Sequence, residues 1–217
     1  MTLATDIMKR YLILCLFVFI GSLPCRADAG KDAYLFRKVD YQQGLSNSAV
    51  LCLYQDNAGL MWFGTYDGVN CYDGKGMEVF RSDFSMKKTL SNNVIHSIQQ
   101  ADSSCLWITT HLGVNRFSQD SRQVVGYYDF ADDYYLHSNP KGDTWVVSDE
   151  GIFYYNTYHK KFVRLRDAEI PVENMDQRAF VTDDGVLWTF PRNTGKLMQF
   201  SLDSFDQDTL SVHSTVS

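Results

Sequence analysis

The residues best suited to hold a metal ion are carboxylates near the end of the chain. Asp203, Asp206 and Asp208 could surround a calcium ion. A calcium loop also needs a glycine at its sharp turn and a terminal glutamate, and both are missing here. The acidic pairs at residues 132–133 and 183–184 fall in turn-forming stretches, where solvation and turn hydrogen bonds explain them. The sequence therefore predicts no metal site and no pair of catalytic carboxylates.

Motifs for covalent or nucleotide chemistry are also missing. The chain has no GxSxG elbow, no HExxH helix and no cysteine pair with metal-ligand spacing. DGKG at residues 73–76 partly resembles a nucleotide-binding motif, but it lacks the DxGxG spacing and lies in hairpin-like sequence, so we interpret it as a turn. None of the five histidines precedes an acidic residue, as a phosphoacceptor histidine would. We predict no catalytic residue, no cofactor and no enzymatic activity.

The four tryptophans reveal an internal repeat. Trp62, Trp107, Trp145 and Trp188 are separated by 45, 38 and 43 residues, and each follows a polar, turn-prone stretch. A fixed period of this length is typical of repeat architectures. The surrounding frames are GLMWFGTYDGVNCYD, SCLWITTHLGVNRFS, GDTWVVSDEGIFYYN and GVLWTFPRNTGKLMQ.

Each repeat is composed of short segments with a period of two that are rich in aromatic and β-branched residues, which indicates strands. Turn residues such as DNAG at 56–59 separate them. The predicted strands of the four repeats are, in order, 49–54, 60–65, 69–72 and 77–81; 94–99, 106–110, 114–117 and 123–128; 133–137, 144–147, 152–155 and 161–166; and 178–182, 187–190 and 196–200.

Four antiparallel strands in about 40 to 45 residues are the size of a propeller blade. One such sheet cannot bury both of its faces, so it needs neighbours stacked around an axis. We therefore predict an all-β fold, a β-propeller of about four four-stranded antiparallel blades. A tryptophan on the second strand would fill the gap between blades. The alternative role, a platform for stacking sugars, is the less frequent one for a residue repeated at one blade position.

Ligands of propellers usually lie on a face near the axis, in contact with loops from several blades. The candidates on such a face are the turns after the tryptophan strands, with Tyr66, Asp67, His111, and Asp149 with Glu150. Arg116 and the tyrosine pairs could add stacking or hydrogen bonds. For each residue a solvated turn or packing between blades is the more frequent explanation, so the ligand-binding residues stay unknown at this stage.

The first 29 residues have the pattern of a signal peptide. Lys9 and Arg10 precede an apolar run at residues 12–20, which is too short for a stable transmembrane helix, and ADA at 27–29 is a cleavage pattern. The alternative is a single membrane anchor. No apolar run of about 20 residues follows, so we expect no membrane span in the mature chain, residues 30–217.

Charge and cysteine content limit the partners. The formal net charge of −6 argues against nucleic acid or anionic lipid as the main partner. Of the five cysteines, Cys52, Cys71 and Cys105 lie in the predicted mature chain, an odd number and too few for a disulfide framework. We expect these three to be buried small apolar residues on strands.

The first two repeats resemble those of a known family. GLSNSAVLCLYQDNAGLMWFGTYDGVNCYDG (44–74) and TLSNNVIHSIQQADSSCLWITTHLGVNRFS (89–118) are similar to two-component regulator propeller repeats, whereas the third and fourth repeats have drifted. In that family the repeats form the periplasmic sensor of hybrid two-component histidine kinases, commonly paired seven-bladed propellers followed by a β-sandwich. The usual ligands are oligosaccharides, and the output is transcription of the genes that use the glycan.

The resemblance implies a periplasmic, ligand-sensing propeller with an oligosaccharide as partner, and further blades or a dimer partner in a full-length sensor. The alternative is a secreted propeller scaffold or part of a propeller enzyme that acts on carbohydrate. The predicted blades span 44–84, 89–130, 131–168 and 175–208.

We expect this chain to be an incomplete N-terminal part of a seven-bladed propeller, an open arc that is poorly soluble alone. Leucine, serine and valine at the start of the first two blades recur at Leu210, Ser211 and Val216, which predicts the start of a fifth blade at 209–217. Residues 34–38 are predicted to form an outer strand without preceding inner strands.

We predict cleavage after Ala29 on export. Mass spectrometry of the protein from the periplasmic fraction should give a chain that begins at Gly30. Recovery of the protein from the membrane fraction with its apolar N-terminus intact would contradict this.

Overall fold

The computed structural model describes residues 36–130, 134–148, 150–164, 180–182, 184, 186–189, 198–205 and 210–216. The chain divides into two units, Met1–Lys38 and Val39–Ser217, and the features below belong to the second. The predicted signal peptide lies outside the described residues. Of the outer strand predicted at 34–38, residues 36–38 are described and are not in a strand.

The described part of the chain contains sixteen strands in four antiparallel sheets, preceded by a short 3-10 helix at Tyr41–Gln43. Each sheet, called a blade here, consists of four strands consecutive along the chain. Blade 1 contains β1 (Val50–Gln55), β2 (Met61–Thr65), β3 (Gly68–Tyr72) and β4 (Met77–Phe80). Blade 2 contains β5 (Ile95–Gln100), β6 (Cys105–Thr110), β7 (Gly113–Ser118) and β8 (Gln123–Tyr128). Blade 3 contains β9 (Tyr135–Ser138), β10 (Thr144–Ser148), β11 (Gly151–Asn156) and β12 (Lys161–Arg164). Blade 4 contains β13 (Phe180–Val181), β14 (Val186–Thr189), β15 (Met198–Phe205) and β16 (Leu210–Val216).

This arrangement confirms the predicted all-β architecture of four-stranded antiparallel blades. In blades 1 and 2 every predicted strand begins and ends within one residue of the observed strand. The close agreement follows from the turn chemistry, because an aspartate lies in each turn between consecutive strands of these two repeats except residues 111–112, which are followed by Gly113 with a φ of 118°.

The segment predicted as the start of a fifth blade, residues 209–217, contains a strand of blade 4 instead. Leu210–Val216 pairs antiparallel with Met198–Phe205 and forms the outer strand of blade 4. The sequence LSVHSTV alternates with a period of two and follows an eight-residue strand that offers it a partner. The recurrence of leucine and serine therefore marked a strand of the same blade rather than the start of a new one.

The four tryptophans occupy the second strand of successive blades, as predicted. Trp62, Trp107, Trp145 and Trp188 lie on β2, β6, β10 and β14 and each pairs with a residue of the first and of the third strand of its blade. The side chains of Trp62, Trp107 and Trp145 are 0%, 1% and 1% exposed. Their burial favours the packing role over the sugar platform.

Trp62 joins blade 1 to blade 2. Its ring meets Phe117 of β7 edge-on at 5.7 Å, and the guanidinium of Arg122, from the turn after β7, lies 5.6 Å from its centroid. Its Nε1 donates to the buried carboxylate of Asp56, which also accepts from Nε2 of Gln119 in blade 2. One carboxylate therefore satisfies the indole and ties two blades together.

Trp107 joins blade 2 to blade 3 in a different way. Its ring packs against Tyr155 at 4.8 Å and Phe162 at 5.6 Å, both in blade 3. Ala101 stands at the position of Asp56, and its side chain cannot accept a hydrogen bond. The indole Nε1 donates instead to Thr144 Oγ1 of blade 3 at 2.9 Å. We call such a contact between two neighbouring blades a joint. The tryptophan is kept while its polar partner changes.

A buried polar triad explains the serine, threonine and asparagine of the first two repeats. Ser46 donates its backbone N–H to Asn70 Oδ1, Asn70 Nδ2 donates to Ser46 Oγ, and Ser46 Oγ lies 3.0 Å from Thr65 Oγ1. Blade 2 repeats this geometry with Ser91, Asn115 and Thr110. The triad ties the segment before the first strand to the hairpin between the second and third strands.

The three cysteines have free thiols, as expected, with Cys71 and Cys105 buried and Cys52 half-buried. Burial raises the pKa of Cys52 to about 11. A Cβ on Gly64 would lie 2.4 Å from Cys52 Sγ and 2.7 Å from Ile95 Cγ2 of blade 2, so glycine is required there for blade 2 to approach.

Blade 1 has a half-exposed apolar face on the side away from Trp62. Adjacent residues of a strand point to opposite faces, so Leu53 and its partner Phe63 lie on this side. The equivalent pair in blade 2 is Ile98 and Ile108, which pack in the core with Trp62. Leu53 is 61% exposed whereas Ile98 is 5% exposed.

These two equivalent positions give a matched test of the joint. Ile98→Ala should lower the free energy of unfolding by roughly 2–5 kcal/mol, because it opens a cavity beneath Trp62. Leu53→Ala should change it by less than about 0.5 kcal/mol, because the side chain is exposed. Urea denaturation followed by tryptophan fluorescence measures both variants. Equal losses for the two would show that blade 1 is covered on both faces.

Candidate ligand-binding cleft

The turn residues predicted as ligand contacts lie together at one end of the sheets, each between the second and third strand of its blade. Tyr66 is exposed, and Asp67 forms an ion pair with Arg81 at 2.9 Å. The ring of His111 lies 6.0 Å from that of His96. Glu150 is exposed, and Asp149 lies outside the described residues. The ion pair of Asp67 is local to blade 1, which fits the alternative role of a solvated turn for this residue.

Arg116 and the tyrosine pairs point to the other end of the sheets. Arg116 forms an ion pair with Asp102, which lies in the turn between the first and second strands of blade 2. Tyr128 and Tyr155 approach each other through their hydroxyl groups, 3.1 Å apart, beside Trp107. Of the predicted contacts, Tyr128 and Tyr155 are the pair that the structure brings together from two neighbouring blades, whereas Arg116 has its partner within blade 2.

Of the three carboxylates considered for calcium, one lies within the described residues. Asp203 lies in β15, and Asp206 and Asp208 lie outside the described residues, as do residues 132–133 and Asp183. Within the described ranges, no group of three or more histidine, cysteine or acidic side chains could hold a metal ion.

Two adjoining cavities lie at the end of the sheets that carries the turn between first and second strands. We call them the wide half, about 720 Å³, and the narrow half, about 260 Å³, of one cleft. Both halves share Ala101, Asp102, Lys141 and Gly142 as lining residues. Ligand sites are commonly about 300–1,000 Å³, so the cleft has the size of a site for a small molecule.

Local hydrogen bonds set the backbone of the turns around the cleft. In blade 2 the Asp102 carboxylate accepts the backbone N–H of Ser104, and the N–H of Ala101 donates to the carbonyl of Cys105. In blade 3 the side chain of Asn139 accepts the backbone N–H groups of Lys141 and Asp143. These Asx-type turns are what the polar stretch before each tryptophan encodes.

The wide half is rich in amide and hydroxyl groups that bridge the blades. Gln99 of blade 2 donates through Nε2 to the Leu136 carbonyl and accepts the N–H of Ser138 through Oε1, both in blade 3. Tyr54 of blade 1 donates its hydroxyl to Gln100 Oε1 at 2.9 Å. These bonds fix the side chains before any ligand arrives, so the remaining hydrogen-bonding capacity is preorganised.

The narrow half is charged and lies above the second joint. It is lined by Asp102, Arg116, Lys141 and Lys160 around Trp107, Thr144, Tyr155 and Thr157. Burial opposes ionisation of Asp102, but the N–H of Ser104 and the guanidinium of Arg116 hold the pKa of this carboxyl below its usual range. Burial likewise opposes the charge of Arg116, and the bond to Asp102 outweighs it, so its pKa is raised.

Four residues that line the cleft were not predicted from the sequence: Gln99, Gln100, Lys141 and Lys160. For the first three the available signal was the repeated polar stretch before each tryptophan, which places Asn57, Asp102 and Pro140 at equivalent turn positions, whereas Lys160 lies in the turn after β11 and had no such signal. That stretch was interpreted as a turn alone, because nothing in one repeat shows that three such turns meet at one cleft.

Comparisons with known proteins identify the repeat. A model of the two-component regulator propeller family matches residues 44–67, a segment that begins just before β1 and ends just after β2. The chain contains a two-component regulator propeller repeat. A curated relative, histidine kinase P4 of Formosa agariphila, is 30% identical over 66 residues, which are 30% of this chain and 5% of that protein.

Solved structures with the same repeat architecture come from extracellular domains. One is the extracellular domain of the hybrid two-component system BT3049 of B. thetaiotaomicron. It superposes with a TM-score of 0.63 at 25% sequence identity, and the match covers 84% of this chain and 26% of that one. The extracellular domain of BT4673 from the same organism gives a TM-score of 0.59 at 18% identity, covering 87% of this chain and 28% of that one. The chain thus spans about a quarter of these solved domains. Within the residues that the structure describes, no helix has the length and apolar character to cross a membrane.

The pair of Asp102 and Arg116 gives a pH-dependent prediction. Because the pKa of Asp102 is lowered in the fold, its contribution to stability is present above the ordinary carboxyl pKa and is lost as the pH falls through the lowered value. Asp102→Asn should therefore lower Tm at pH 7, by an amount worth no more than about 1 kcal/mol for a half-exposed pair, and the difference from the parent should shrink in acid.

The exposed Asp120 provides the control variant, Asp120→Asn, for which we expect no such difference between neutral and acidic pH. Thermal unfolding followed by circular dichroism over pH 3 to 7 measures all three proteins. A Tm difference between Asp102→Asn and the parent that stays constant over this range would contradict the role of the ion pair.

Proposed function

We propose that this chain is an extracytoplasmic ligand-sensing propeller module of a hybrid two-component regulatory system. It would bind an oligosaccharide and so control the genes that use the corresponding glycan. Export to the periplasm would follow from the signal peptide predicted at residues 1–29. The observation that carries this proposal is the cleft between blades 1, 2 and 3, in a chain that contains a two-component regulator propeller repeat.

The chemistry of the wide half suits a polyhydroxylated ligand. Its rim presents Asn57, Gln99, Gln100, Ser103 and Ser138, whose amides and hydroxyls both donate and accept hydrogen bonds. Sugar hydroxyls have the same dual character, so neutral groups of this kind can satisfy them without a net charge. Amides and hydroxyls can hold a sugar through hydrogen bonds, so we propose binding as the activity of the wide half.

The position of the cleft suits a sensor. Its rim contains turns of three blades, and Gln99 and Tyr54 already bridge the joints beside it. A ligand that contacts all three turns would bias the relative position of the blades, and this is the differential interaction that a conformational signal requires.

Isothermal calorimetry of the folded chain against a panel of neutral and acidic oligosaccharides tests the proposal. We expect saturable binding of at least one member without any change in the sugar. Asn57→Ala and Ser103→Ala, both at exposed positions on the rim, should each weaken binding about 3- to 10-fold, the usual effect of one lost hydrogen bond. Gln123→Ala, on the outer strand of blade 2, should leave it unchanged.

Two results would contradict the proposal. Turnover of the sugar, detected by chromatography of the mixture after incubation, would favour part of a carbohydrate-active enzyme. Absence of binding to every member of the panel, by a chain shown to be folded by its cooperative melting, would favour a scaffold.

A further inference from the structure

The narrow half of the cleft gathers positive charge in a chain that is acidic overall. Arg116, Lys141 and Lys160 line it together with a single carboxylate, Asp102. The formal net charge of the chain is −6, so this grouping runs against its average composition. A cleft lined mainly by one sign of charge raises the local concentration of the opposite ion.

Arg116 is only partly neutralised by Asp102. One terminal nitrogen, Nη2, donates to the Asp102 carboxylate, while Nε is buried and makes no hydrogen bond to the described residues. A guanidinium offers five N–H donors, so this pair leaves donor capacity beside the cleft. An unmet buried donor is costly, and an anionic group that draws the guanidinium toward the cleft would remove that cost.

The two lysines extend this positive surface from blade 3. Both are exposed and lie on turns that are held in place: Asn139 fixes the turn of Lys141, and the carbonyl of Lys160 accepts the Tyr128 hydroxyl at 3.1 Å. Among the described residues, neither ammonium group forms an ion pair. The pKa of the exposed Asp184 carboxyl is lowered mainly by its hydrogen bond with Thr182, and the positive charge of Lys141 contributes to the same shift.

The floor of the narrow half is aromatic, and hydroxyl groups lie at its edge. Trp107 and Tyr155 lie beneath it, and the hydroxyls of Thr144 and Thr157 face it from blade 3. Because Trp107 is only 1% exposed, the floor offers no platform for stacking; the two hydroxyls can instead form hydrogen bonds with a sugar, and the three cations suit an anionic substituent on it.

We propose that the narrow half binds the negatively charged group, a carboxylate or a sulfate, of an acidic sugar residue, while neighbouring residues of the oligosaccharide occupy the wide half. This inference rests on the proposed function and adds the class of glycan. Lys141 and Lys160 supply the selectivity for charge, and Arg116 positions the anion above Trp107.

The test uses the complete chain and a pair of matched ligands, tetragalacturonate and its methyl ester, which differ in charge. A sulfated chondroitin oligosaccharide and its desulfated form separate sulfate from carboxylate. We expect at least one charged member to bind at least tenfold more tightly than its less charged counterpart, and the difference to narrow as salt is raised from 50 to 500 mM.

The double variant Lys141→Gln with Lys160→Gln should remove at least tenfold of that affinity. Both side chains are exposed, so the fold should survive, and Lys75→Gln, at an exposed turn of blade 1 that lines neither half of the cleft, is the matched control and should have no effect. Binding of the neutral and charged members with equal affinity would overturn this inference and leave the proposed function standing. Failure of the charged members to bind, while a neutral member of the wider panel binds, would overturn this inference alone, and absence of binding by every member of the wider panel would overturn both.

Discussion

The structure depends on one constraint: the apolar face of each blade must be covered by the next blade. A single four-stranded sheet of this length has too little core to be stable alone. The buried tryptophan of the second strand meets that need, because its ring reaches across to aromatic residues of the following blade, Phe117 for Trp62 and Tyr155 for Trp107. The joint, rather than the blade, is therefore the unit of stability. This explains why the tryptophan recurs while its neighbours vary.

The same joints place the cleft. Polar residues at the end of each first strand lie beside the neighbouring blade, and they are satisfied by reaching across: Tyr54 to Gln100 and Gln99 to Ser138. Such hydrogen bonds align the turns of three blades and leave a groove between them. Because these hydrogen bonds and the aromatic packing beneath hold the turns in place, their side chains are arranged before a ligand binds, which lowers the cost of binding. The cleft is thus a consequence of how the blades stack, because Gln99, Thr144 and Tyr155 both connect neighbouring blades and line it.

Local features were predictable from the sequence, and features that depend on several repeats were not. Strand bounds in blades 1 and 2 followed from turn residues and a period of two, and the role of the tryptophans followed from their spacing. The assignment of Leu210–Val216 failed because a leucine–serine pair begins a blade in one context and lies inside an outer strand in another, and only pairing with Met198–Phe205 decides between them. Gln99, Lys141 and Lys160 could not be predicted, because they come from different blades and meet only when the blades are stacked.

The drift of the third repeat shows how far the signature can change without loss of the fold. In blades 1 and 2 Asn70 and Asn115 lie on the third strand and complete a buried polar triad. Phe153 stands at this position in blade 3 and packs edge-on against Phe130 at 5.2 Å. An apolar side chain that fills the same space needs no hydrogen-bond partner, whereas an asparagine left with an incomplete triad would be buried and unsatisfied. Blade 3 therefore keeps its four strands although phenylalanine stands where the first two blades have the asparagine of the triad.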